Sequence, residues 1–133
     1  MRRLGLLSIF LLLAACAALP PAGPPPDKAL VHVYRRALPP GPPEIALFDG
    51  AQPMGHLTAG SLLDYLTVPG PRLFKAEAQG LGSLPYATTL TGGRTYWFMI
   101  YVLGDQLRGN VTLAPMDEAT AEKQMAALKP AQP

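Results

Sequence analysis

The sequence predicts a mainly-β domain, a small β-sandwich carrying one C-terminal α-helix. Three observations predict it. From Asp27 onward, short runs rich in β-branched and aromatic residues alternate with Pro/Gly turn signals. The run Tyr96–Val102 is apolar at every position and has the length of a strand enclosed within a sheet. After Pro115 the pattern changes, and apolar residues recur at helical rather than strand spacing.

Taken in order, Ala29–Arg35 is the first strand. Val31 and Val33 lie on one face and Leu30 and Tyr34 on the other, so either face could meet the core. Pro39-Pro40-Gly41-Pro42-Pro43 forbids regular pairing and makes a stiff loop. Glu44–Phe48 is the second strand, Asp49-Gly50 a reversal, and Pro53–Leu57 the return, with Gly55 marking a bulge or a close backbone approach. Ser61–Val68 is closed by Pro69-Gly70. In the following strand Phe74, Ala76 and Ala78 share one face, and Leu73, Lys75 and Glu77 the other. Gly80–Ser83 reads as a flexible loop before the strand Tyr86–Leu90, and Gly92-Gly93 as another reversal. Tyr96–Val102 is expected to be a central strand covered on both sides, and Val111–Ala114 to end the sheet region. Asp117 suits an N-cap, Glu118 the first turn, and Ala121, Met125 and Leu128 an apolar stripe. This predicts a helix of about three turns ending before Lys129-Pro130.

The amino-terminal segment has a different character. Met1-Arg2-Arg3 gives a positive start, Leu4–Leu13 an apolar stretch, and small residues lead into Cys16, the layout of a secretory signal. Prolines begin at Pro20, too soon for the roughly 20 apolar residues of a membrane span. Ordinary cleavage within Ala14–Ala18 would leave Cys16 discarded or stranded as a lone thiol in an oxidising compartment. Leu13-Ala14-Ala15-Cys16 resembles the lipobox of bacterial lipoproteins. That resemblance implies cleavage between Ala15 and Cys16, a diacylglycerol on the thiol and an acylated new amino terminus, palmitate being the usual kind of chain. Ala17 lacks the aspartate that resembles an inner-membrane retention signal, so an outer-membrane location facing the periplasm is expected. Ala17–Pro26 holds five prolines in ten residues and favours polyproline II, a spacer of about 30 Å. The expected organisation is a signal peptide at 1–15, lipidated Cys16 and linker at 16–26, a domain at 27–129 and a tail at 130–133.

Composition narrows the function. Of 133 residues, 118 remain after the signal, enough for one domain. The formal charge of +2 comes from Arg2 and Arg3; the remainder balances nine basic against nine acidic residues. A concentrated basic face for nucleic acid is therefore not indicated. With Cys16 lipidated, no other cysteine exists for a disulfide or a thiolate metal site.

Phe48-Asp49-Gly50-Ala51-Gln52-Pro53-Met54-Gly55, followed by Leu66–Leu73, resembles the PEGA-type surface-layer β-domain, with its D-G-x-x-x-G hairpin and downstream P-G turn. The stretch Lys28–Leu128 also resembles an uncharacterised family of bacterial lipoproteins, a domain of unknown function. The opening strand Lys28–Arg35, the D-G and P-G turns, the strand Gly93–Phe98 and the closing acidic, alanine-rich helix carry that likeness. The proline-packed Pro39–Pro43 loop departs from it. The resemblance implies a PEGA-like or transthyretin-like sandwich and transfers no catalytic residue.

A search for chemistry yields little. His32 and His56 have no ligand-type spacing, so no metal and no cofactor are expected. Ser61 and Asp64 lie near His56, yet Ala59–Leu63 is not a nucleophile elbow and no catalytic residue is assigned. Gly80-Leu81-Gly82 lacks the rest of a phosphate loop. Glu44, Asp49, Asp64, Glu77 and Asp105 are scattered singly. The aromatic run Tyr96–Tyr101 reads as core in preference to a groove. Arg35, Arg72 and Arg94 are the residues to test as ligand contacts, against a reading of the arginines as solvated strand-end charges. The expectation is a non-catalytic, lipid-anchored envelope protein that binds or scaffolds another envelope component. The alternative is a periplasmic sensor or carrier of a small ligand or glycan.

Overall fold

The computed structural model describes residues 23–104 and 108–131. The signal segment, Cys16 and the linker up to residue 22 lie outside the described residues, as does Asp105. The strands are β1 (Ala29–Arg35), β2 (Ile45–Asp49), β3 (Gln52–Leu57), β4 (Ser61–Thr67), β5 (Gly70–Glu77), β6 (Gly82–Ser83), β7 (Tyr86–Leu90), β8 (Thr95–Leu103) and β9 (Asn110–Met116). Helix α1 (Glu118–Met125) and the short β10 (Lys129–Pro130) follow.

Two sheets face each other. The first runs β10-β4-β1-β8-β9-β6 and the second β3-β2-β5-β7. Ala29, Val31 and Val33 of β1, Phe98 and Ile100 of β8, and Val111 and Leu113 of β9 point inward. They meet Ile45 and Leu47 of β2, Leu57 of β3, Phe74 and Ala76 of β5, and Leu90 of β7. Alternation along β1, β2, β5, β8 and β9 puts every second residue into this layer, as a half-buried sheet requires. Each large side chain so enclosed contributes about 1.5–3 kcal/mol. Phe74 and Phe98 meet across the layer with centroids 5.7 Å apart, and Tyr86 lies edge-on to Phe98 at 5.4 Å. The fold is the mainly-β sandwich with a single C-terminal helix that the sequence predicts.

The faces of β1 are both used. Val31 and Val33 enter the sandwich, while Tyr34 is buried on the opposite side, where its hydroxyl donates to Gln124 Oε1 of α1. Burial raises the Tyr34 pKa above its ordinary value, the nearby Arg36 charge partly offsetting it. In the β2–β3 hairpin Asp49 is the last strand residue, and Gly50-Ala51 makes the reversal, Gly50 taking φ +59°. The bulge falls where expected. The register shifts after Leu47, Gly55 takes φ +148°, and an added Cβ there would press to 3.2 Å from Leu63 Cδ1.

Several boundaries are corrected. The expected loop at Gly80–Ser83 contains β6, which pairs in parallel with Asn110 and Val111. Strand β8 is covered on both sides only beneath α1; beyond it Tyr101 is 46% exposed. Strand β9 runs on to Met116, and α1 spans eight residues, about two turns rather than three. The presumed tail is partly strand, since Pro130 pairs with Leu62 and Ala131 N–H donates to Leu62 O at 2.7 Å. The chain enters β1 through a turn in which Lys28 N–H donates to Pro25 O at 3.0 Å, and Gly93 N–H donates to Lys28 O at 2.7 Å.

Phe74 sits at the centre of the inter-sheet layer with no exposure. Phe74→Ala is expected to destabilise the fold by about 3–5 kcal/mol through cavity formation and loss of the Phe98 contact, read from the urea midpoint.

Candidate functional site

The outer face of the first sheet carries a cleft of about 520 Å3 between β1, β8 and α1. Leu30, His32, Thr95 and Trp97 line its floor, with Arg94 at the β8 entry. Glu118, Glu122 and Met125 of α1 line the opposite wall, and Gly23 borders it. Register explains the floor. His32 stands opposite Asp64 on β4 and opposite Trp97 on β8, so the three side chains form one row across the sheet. His32 Nδ1 lies 2.5 Å from Asp64 Oδ1, and its ring centroid is 6.0 Å from that of Trp97. Nδ1 is therefore committed to Asp64, and Nε2 has no protein partner among the described residues. Leu66 and Leu30, the next pair toward the amino-terminal end of β1, extend the apolar floor; Leu66 is 54% exposed.

Helix α1 is held over this sheet by three devices. Asp117 caps it, accepting from Thr120 N–H at 2.9 Å. Ala121 is fully buried, and its small side chain lets the helix approach β8 closely. Gln124 receives the Tyr34 hydroxyl. Glu118 and Glu122, one turn apart, consequently share the cleft side of the helix.

The arginines singled out in the sequence do not converge. Arg94 borders the cleft. Arg35, at the opposite end of β1, lines a second cavity of about 330 Å3 beneath the proline-rich loop. Arg72 is occupied by the fold: Nη2 donates to Thr67 Oγ1 at 2.9 Å and to Val68 O at 2.6 Å, and Nη1 lies 3.5 Å from Asp49 Oδ2. Tyr65 O–H donates to that same carboxylate at 2.9 Å, closing a polar clamp between the two sheets. Burial, then the Asp49 bond, raises the Tyr65 pKa. Arg72 Nε is buried without a partner. The solvated strand-end reading fails for Arg35 and Arg72, because both share the inward phase of their strands.

The carboxylates scattered in the sequence are mostly paired in space. Asp64 meets His32, Asp49 meets Arg72, Glu44 lies 3.1 Å from His56, and Glu77 lies 2.9 Å from Lys75. The last two pairs are surface contacts of little energetic weight. Among the described residues no three His, Cys, Asp or Glu side chains converge as a metal site. The cleft therefore offers an aromatic floor with a fixed imidazole, two carboxylates and one guanidinium. That inventory suits a polar, ring-bearing ligand. No protein-family model, curated protein or solved structure matches the chain.

The hydrogen bond donated by the Thr120 backbone N–H holds the Asp117 carboxyl below its ordinary value of 3.8. A depressed folded-state pKa stabilises above the unfolded value and ceases to do so as pH falls through the folded one. Asp117→Ala is expected to lower the melting temperature at pH 7. The gap to the parent should narrow below about pH 4, which thermal melts across pH 2–7 measure.

Proposed function

We propose that this chain is a lipid-anchored protein of the cell envelope whose sandwich binds another envelope component without catalysing a reaction. The observation that carries the reading is the entry of the chain at the cleft. Gly23 borders the cleft, and Cys16 stands seven residues earlier behind a positive and apolar leader. A stretch of that length covers at most about 25 Å. A lipid on Cys16 would hold the cleft near the bilayer surface, facing whatever lies beside the membrane. Two or more acyl chains at about 0.8 kcal/mol per buried methylene make such an anchor firm. Among the described residues no helix is long and apolar enough to cross a membrane. The resemblance to lipoproteins of unknown function, with a PEGA-like arrangement of turns, agrees with this reading. Ala17, in place of the aspartate that resembles an inner-membrane retention signal, favours an outer membrane and a cleft facing the periplasm.

Fractionation of cells producing Cys16→Ala is the decisive experiment. The parent is expected in the membrane fraction with a mass raised by its acyl chains, and the variant in the soluble fraction. Unchanged membrane association of the variant would refute the anchor.

A second reading, a glycan-binding domain, is favoured by Trp97 lying beside His32, Glu118 and Glu122. An aromatic face can stack on a sugar ring while carboxylates and imidazole meet its hydroxyls. Purified peptidoglycan is the probe. Retention of the parent at low salt and a fall of about three- to ten-fold for Trp97→Ala support this reading; no retention of the parent removes it.

A further inference from the structure

The second cavity lies at the other end of β1, away from the cleft. The loop between β1 and β2 roofs it with Leu38, Pro39, Pro40 and Pro42, and Ile45, Tyr101 and Val102 close its sides. Its volume of about 330 Å3 falls at the small end of ligand pockets. The prolines supply no N–H donors and stiffen the roof. Its charged side chains are cationic: Arg35 and Arg36 line it, and among the described residues no acidic one does.

Arg35 is the unusual wall. It is 5% exposed, because position 35 follows Ala29, Val31 and Val33 in the inward phase of β1. Its Nη2 donates to Pro42 O at 2.5 Å, and Nη1 reaches Leu57 O at a long 3.4 Å. A guanidinium carries five N–H donors, so most of its capacity has no partner among the described residues. No carboxylate among those residues pairs with it, in contrast to Arg72. Burial lowers the Arg35 pKa from its ordinary value, yet a guanidinium keeps its proton in proteins. The fold thus sets a cation against an apolar chamber with no counter-charge among the described residues, an arrangement that a bound anion would complete.

From this we infer that the cavity under the proline loop binds a small amphiphilic monocarboxylate. Its carboxylate pairs with Arg35 and its short apolar tail lies between the loop and β8. Arg–carboxylate pairing supplies two parallel charge-assisted bonds, and the apolar walls offer contact to the tail. Arg36, exposed at the rim, adds attraction for the incoming anion.

Calorimetric titration of the full chain at pH 7 tests this with sodium octanoate below its micelle concentration, 1-octanol as the uncharged match and acetate as the tail-less match. Octanoate is expected to bind about ten-fold or more tightly than either control. Arg35→Met should reduce octanoate binding to the level of 1-octanol. Tyr101→Ala, at the half-exposed side wall, should weaken it about three- to ten-fold while the melting temperature stays near that of the parent. The Tyr101 variant decides the matter should the Arg35 variant not fold. Absence of octanoate binding, octanoate no tighter than 1-octanol, or undiminished affinity in either folded variant would overturn the inference.

Discussion

Parallel pairing of β1 with β8 is the constraint from which the architecture follows. Leu30 to Tyr34 run alongside Thr95 to Met99 in the same direction, and parallel neighbours need a long crossover between them. Here the crossover is everything from Arg36 to Arg94. It first builds the hairpin of β2 and β3 and then crosses to β4, which lies against the free side of β1. It then returns to the second sheet for β5 and β7. The opposing layer that buries Val31 and Val33 is thus made by the segment that the pairing requires. The enclosure of β1 between two sequence-distant strands also places a histidine from its outer face between an aspartate and a tryptophan.

The core ends in two arginines, and they are treated differently. Both stand at positions whose strand parity turns them inward, Arg35 after Val33 and Arg72 before Phe74. Arg72 meets Asp49, only 8% exposed at its side chain, and Tyr65 completes a link from one sheet to the other. This end of the sandwich is closed by a compensated polar cluster. The other end holds Arg35 on two carbonyls beneath prolines. Among the described residues, one end of the sandwich thus pairs its inward arginine with a carboxylate and the other end does not.

Much of the fold was legible because β alternation is a local property. The faces of β5, the bulge at Gly55, the Asp117 cap and the central place of Tyr96–Val102 all follow from nearest neighbours in sequence. Parity would also have exposed Arg35 and Arg72 as inward-facing, had charge not suggested solvent for both. Other features depend on register between distant segments. Nothing in the sequence pairs His32 with Asp64, or Asp49 with Arg72 and Tyr65, until β1, β4, β2 and β5 are aligned. The depth to which α1 covers β8 is likewise set by Ala121 and the Tyr34–Gln124 bond. Tyr101 therefore emerges from a strand whose composition suggested complete enclosure. The two-residue strands β6 and β10 are too short to leave a periodic signal at all.

The second of these two-residue strands has a consequence for crowding. Along β10, the amides of Lys129 and Ala131 turn inward to the carbonyls of Gly60 and Leu62. Position 130 between them would aim its amide at the open margin, and proline has none. The border of the larger sheet consequently ends in a rung that offers no hydrogen, next to an exposed ammonium side chain. Neighbouring molecules brought side by side meet there a rim that resists strand-to-strand zippering.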